Sequence, residues 1–212
     1  MIGFYNYTVI LTYLSLASAL VGVTFSVHGN IQAALICLFV SGFCDMFDGS
    51  VARTKKNRTE DEKAFGMNID SLCDLVAFGV QPAMLLYGYF RENTPIYVYA
   101  VMIFFVLAAV SRLAFFDVQE AKMKKEGAGE RKDFLGLPVT NSAIFLPGLM
   151  TVALPFDISY GYVCLAGILA IGIAFITPFK MKKLYMPWLL IPAVIGAAFF
   201  CILIIFGGRL NA

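Results

Sequence analysis

Four aspartates, Asp45, Asp48, Asp70 and Asp74, lie close together in apolar sequence, within DMFDGSVARTKKNRTEDEKAFGMNIDSLCD (45–74). The first two are three residues apart and the second two are four apart, so each pair shares one helix face. One carboxylate at the centre of a membrane helix costs about 3 kcal/mol, and two pairs cost more unless a cation compensates them. Four carboxylates suffice for two divalent cations, and their hard oxygens suit Mg2+ or Mn2+. The chemistry indicated is that of a metal centre at a membrane.

The rest of the sequence supplies the membrane. The chain has 212 residues, of which 60% are hydrophobic and 14% charged, against about 25% charged in soluble domains. Its mean hydropathy is +0.80. A net charge of +2 gives no reason to expect a nucleic-acid partner. The five cysteines (Cys37, Cys44, Cys73, Cys164, Cys201) form no C-x-x-C pair, so neither a zinc site nor a disulfide framework is indicated. The N-terminal MIGFYNYTVILTYL has no basic stretch and no small-residue cleavage site, and reads as the start of a spanning helix.

A span needs about 20 apolar residues. Seven stretches qualify: 7–27, 31–52, 66–90, 95–117, 137–154, 158–178 and 186–206. Three charged loops, 54–65, 119–134 and 179–183, alternate with nearly uncharged ones. Lys and Arg concentrate on the cytoplasmic side, which predicts an inside N-terminus, an outside C-terminus and all four aspartates at cytoplasmic helix ends. Gly49, Ala52 and Gly66 are small residues near the carboxylates, suited to close approach of a ligand or of another helix. Arg53 supplies a fixed positive charge for a phosphate oxygen, or a membrane anchor.

In order, the residues read Asp45-x-x-Asp48-Gly49-x-x-Ala52-Arg53, a spacer of twelve, then Gly66-x-x-x-Asp70-x-x-x-Asp74. This resembles the signature of the CDP-alcohol phosphatidyltransferases, with a spacer longer than is usual there. The resemblance implies an all-α polytopic transmembrane bundle over residues 1–212, with a six-helix core and a seventh C-terminal span, working as a homodimer in the membrane lipid. It implies transfer of a phosphatidyl group from a CDP-linked lipid to an alcohol. Asp45, Asp48, Asp70 and Asp74 would hold two divalent cations, Mg2+ or Mn2+, with Asp74 also the general base. Gly49, Ala52, Arg53 and Gly66 would bind the CDP-lipid.

Further along, Asp70-Ser71, Asp74, Phe78-Gly79 and Pro82, then Arg112-Leu113-Ala114 with Phe116, FLGLPVTNSA (134–143) and TPFKMKK (177–183) resemble the phosphatidylserine synthase branch of that family. That branch implies CDP-diacylglycerol and L-serine as substrates. Phe115 stands where the branch has Arg, and Asp117 where it has Asn. A serine carboxylate needs a cation or donor, and Arg112, Lys132, Asn141 and Lys180 are the candidates. Arg112 could equally pair with Asp117, and Asn141 could cap a helix. Competing readings are the same family with glycerol phosphate, inositol or inositol phosphate as acceptor, an intramembrane prenyltransferase, and a divalent-cation transporter. A prenyltransferase would lack G-x-x-A-R, and a transporter would place its aspartates near mid-membrane.

Overall fold

A computed structural model describes residues 3–4, 6–55, 57–126, 133–156, 158–182, 196 and 198–211, with only the backbone described at 123–126, 133–135 and 180–182. Four helices are long and apolar enough to cross a membrane: Tyr7–Val27, Ile31–Thr54, Glu60–Phe90 and Ile96–Lys122. Shorter apolar helices cover Val139–Ala153, Tyr160–Ile176 and Ala198–Leu210. These fall on the seven expected spans, although much of the seventh lies outside the described residues. The protein is an integral membrane helix bundle.

In chain order the helices are α1 (Ile10–Val27), α2 (Ile31–Thr54), α3 (Glu60–Asp74), α4 (Gln81–Phe90), α5 (Ile96–Glu126), α6 (Ser142–Ala153) and α7 (Tyr160–Ile176), followed by α8 (Ala198–Leu210). Gly29 takes φ +75° between α1 and α2, and the Asn30 side chain caps α2 by accepting from Ala33 N. Two expected loops are shorter than predicted. Residues 60–65 are already α3, because Thr59 and Glu62 form a reciprocal capping box. Residues 119–126 continue α5, since Gln, Glu, Ala, Lys and Met are good helix formers in water as well. The third loop carries β2 (Lys180–Lys182), which pairs antiparallel with β1 (Asp133–Leu135).

The helices meet through small and hydroxylated residues, as expected where burial from lipid gives little driving force. Ser15 Oγ donates to Ser41 O at 3.1 Å and Ser41 Oγ to Ser15 O at 2.9 Å, a reciprocal clasp between α1 and α2. Ser18 Oγ adds a third bond, to Cys37 O at 3.0 Å. A Cβ on Gly88 would lie 2.5 Å from Ser26 O, so α4 crosses α1 nearly backbone to backbone. Leu38, Phe78, Leu85, Leu86, Phe105, Leu146, Met150, Ile168 and Phe175 fill the centre. The Phe105 and Phe175 rings sit 5.4 Å apart between α5 and α7.

Candidate active site

A cavity of about 480 Å³ opens between α2, α3, α5 and the turn before α6. From α2 it takes Asp45, Met46, Asp48, Gly49, Ser50 and Arg53; from α3, Asp70 and Asp74; from α5, Arg112, Leu113 and Phe116; and from the turn, Pro138, Val139, Thr140 and Asn141. Both aspartate pairs therefore face the same space. Carboxylate oxygens of Asp45, Asp70 and Asp74 all lie within 4.8 Å of one another. Ligands about 2.0–2.6 Å from one hard cation are at most about 5 Å apart, so this donor set fits a divalent ion. Asp48 stands outside that trio. It is 9% exposed and accepts from Thr12 Oγ1 of α1 at 3.1 Å, which fixes its rotamer beside Asp70.

The backbone beyond Asp74 explains how α3 presents its carboxylates. Leu75–Val80 winds as a π-helix between α3 and α4. Pro82 has no N–H, so the Phe78 carbonyl loses its α-helical donor, and Gln81 N instead reaches back to Val76 O. The orphaned Phe78 carbonyl accepts from Ser142 Oγ at 3.2 Å. That bond ties the start of α6 to the π-helix that follows α3, and carries the adjacent Asn141 to the cavity wall. Phe78-Gly79 and Pro82, which belong to the sequence pattern, thus shape the helix and are not among the residues that line the described cavity. Gly79 serves its tight packing: a Cβ there would lie 3.1 Å from Ala109 Cβ on α5.

The other wall is a latch built on Arg112, which is 6% exposed. Its Nε donates to Leu137 O at 3.1 Å and its Nη2 reaches Gly136 O at 3.5 Å, while the guanidinium lies 6.0 Å from the Phe116 ring centre. Gly136 takes φ +76°, and its N donates to Phe179 O at 2.7 Å. The pairing Asp133↔Lys182, Phe134↔Met181 and Leu135↔Lys180 continues that contact. The G-L-P turn and the T-P-F-K loop are therefore one unit held by Arg112. Gly136→Ala should disrupt it, because a left-handed backbone costs a Cβ-bearing residue about 1–2 kcal/mol and the Cβ would press on Thr177 O at 3.2 Å. A lower melting temperature is expected, and an unchanged one would count against the latch.

Asn141 stands at the N-cap of α6, yet its side chain makes no cap hydrogen bond and lines the cavity. Asp117 accepts from Ser71 Oγ at 2.9 Å, joining α5 to the residue after Asp70. Phe115 is 49% exposed and lines a neighbouring pocket that shares Arg112. Gly49 faces open space, with nothing within 4 Å of a Cβ built there, and Arg53 is exposed at the same wall. Ala52 and Gly66 lie outside the described wall, and the space over Gly66 is taken by the Arg58 guanidinium. Lys180 enters through its backbone in β2, and Lys132 lies outside the described residues. Thr12, Ser142 and Arg58 are not among the site residues that the sequence suggests. A lone hydroxyl in an apolar helix carries no signal, whereas the T-x-x-E box beside Arg58 was readable.

The sequence matches the CDP-alcohol phosphatidyltransferase family over residues 5–194. It is 30% identical to the archaetidylserine synthase of Methanothermobacter thermautotrophicus over 74% of this chain and 63% of that protein. It is also 30% identical to the CDP-diacylglycerol–serine O-phosphatidyltransferase of Mycobacterium leprae, over 92% of this chain and 64% of that protein. The Bacillus subtilis protein of the same description is 30% identical over 73% of this chain and 76% of its own length. The chain thus spans a little under two thirds of the first two relatives and about three quarters of the third. With the eight signature residues in place on α2 and α3 and the match running through most of its length, the chain belongs to the CDP-alcohol phosphatidyltransferase family.

Proposed function

We propose that this protein transfers the phosphatidyl group of CDP-diacylglycerol to L-serine, giving phosphatidylserine and CMP. The observation that carries this is the trio Asp45, Asp70 and Asp74 within 4.8 Å, on the wall of a cavity that also presents Arg53, Arg112 and Asn141. Two divalent cations, Mg2+ or Mn2+, held by the four aspartates would supply neutralisation of the diphosphate charge. Gly49 leaves room for the nucleotide to approach the α2 backbone, and Arg53 offers a charged fork to a phosphate oxygen. Asp74 takes the proton of the serine hydroxyl. The serine oxygen then bonds to the lipid-side phosphorus, the bond from that phosphorus to the bridging oxygen breaks, and CMP leaves with the electron pair. Arg112 and Asn141 receive the serine carboxylate, with Lys180 and Lys132 as further candidate cations.

The basic residues at 54–65, 119–134 and 179–183 favour a cytoplasmic opening for this site and an inside N-terminus in the cell membrane. A homodimer follows from the family reading. Purified protein should release CMP from CDP-diacylglycerol with serine in preference to glycerol phosphate, inositol or inositol phosphate, with products identified by mass. EDTA should abolish turnover and Mg2+ or Mn2+ restore it. Full activity in EDTA would remove the two-cation reading, and preference for another alcohol would remove the serine assignment.

A further inference from the structure

Arg58 belongs to no part of the signature, yet its guanidinium lies against it. A Cβ built on Gly66 would come within 2.5 Å of Arg58 Nη2 and 3.8 Å of its Cζ. Gly66, Asp70 and Asp74 follow one another at intervals of four, a single stripe along α3 whose lower members line the cavity. At a rise of about 1.5 Å per residue, the guanidinium is seated roughly 6 Å along the axis from Asp70, at the outer end of that stripe.

The loop is built to hold it there. Thr59 and Glu62 close the capping box, Lys55 Nζ binds Glu62 Oε1 at 2.8 Å, and Arg58 Nη2 donates to Glu62 O at 3.2 Å. Arg58 Nε is buried without a hydrogen-bond partner. A buried cationic donor lacking an acceptor is unfavourable, and an anionic oxygen arriving beside it relieves that cost. Arg53 stands at the end of α2, on the wall of the same cavity.

We propose that Arg58 is a substrate-binding residue whose guanidinium takes a phosphate oxygen of the CDP-lipid, in addition to Arg53, with Gly66 left bare to seat it. The proposal rests on the CDP-lipid reading of the cavity and adds a residue from outside the signature. A planar fork with a spare N–H suits a diphosphate better than a lysine does. It also explains why a glycine at position 66 is useful even though the cavity wall itself does not reach it.

The test is steady-state kinetics of the full-length protein with CDP-diacylglycerol, serine and Mn2+. Arg58→Gln should raise KM for CDP-diacylglycerol about tenfold and weaken inhibition by CMP alike, while KM for serine stays within about twofold. Arg58→Lys should recover only part of the loss. Gly66→Ala keeps the arginine but pushes its guanidinium aside, and should raise the same KM. An unchanged KM for CDP-diacylglycerol in Arg58→Gln, with normal wild-type turnover, overturns this proposal alone. Equal rises in both KM values with a lower melting temperature also overturn it, since Arg58 would then be only a clamp on the first turn of α3. Wild-type protein that releases no CMP with any alcohol overturns the CDP-lipid reading and this proposal together.

Discussion

Asp70→Asn is expected to lower kcat/KM by at least about 10²-fold, because removing one charged contributor to a transition state costs about 3 kcal/mol. The same loss is expected for Asp45→Asn, its partner in the 4.8 Å trio, and for Asp48→Asn. Asparagine keeps the volume and one oxygen, so the loss would report charge and not packing. Melting temperature in EDTA separates the two directly. Three carboxylates crowded within 4.8 Å repel one another, so Asp45→Asn and Asp70→Asn should be as stable as the parent or more so without metal. A variant that is both inactive and less stable in EDTA would mean that the carboxylate was holding the fold together. Thr12→Val replaces only the hydroxyl that orients Asp48, and a loss of about fivefold is expected from one hydrogen bond of ~1 kcal/mol. Asp74→Asn should keep CDP-lipid affinity while losing transfer. If nucleotide affinity falls as in Asp45→Asn, Asp74 is mainly a ligand, and the base lies elsewhere.

The spans and the acidic centre were legible because both are written in strong, local patterns. An apolar run long enough to cross a bilayer has few other uses, and carboxylates three or four apart within one must share a face. The boundaries are less legible where a charged stretch is helical. Glu60–Phe65 is charged at its start yet helical, since the Thr59–Glu62 box outweighs the polarity. At about 1.5 Å per residue, the 31 residues of Glu60–Phe90 also exceed a hydrocarbon core of roughly 30 Å, so polar first turns outside it are no obstacle.

What stayed hidden is tertiary. Asp117 and Ser71 both stand in the sequence pattern, but nothing in their positions, forty-six apart, says that they bond. The Phe78-Gly79-x-x-Pro82 pattern was readable as a motif, whereas its physical content needed the fold: Pro82 orphans a carbonyl, and Ser142 on another helix satisfies it. The G-L-P and T-P-F-K segments likewise appeared as separate features. Only the β1–β2 ladder and the Gly136–Phe179 bond show them to be one unit. Arg112 was expected either to bind substrate or to pair with Asp117, and the structure adds its grip on two backbone carbonyls.

That grip sharpens what Arg112→Lys should do. The guanidinium spends Nε and one Nη on Leu137 O and Gly136 O, and still borders the cavity that holds the aspartates. Lysine keeps the charge but cannot hold two carbonyls and face a carboxylate together, because it lacks the planar fork. Some loss of stability is therefore expected, roughly 1–3 kcal/mol for hydrogen bonds from a charged donor. The decisive quantity is the ratio of the two Michaelis constants. If Arg112 also meets the serine carboxylate, KM for serine should rise about tenfold more than KM for CDP-diacylglycerol, in line with a lost two-pronged contact. Gly136→Ala provides the comparison, since it loosens the same turn and keeps the arginine. A serine-selective rise in Arg112→Lys but not in Gly136→Ala assigns the carboxylate to Arg112. Matching rises in both variants would make Arg112 a support for the turn, and would move the serine carboxylate to Asn141, which already faces the cavity without a capping bond.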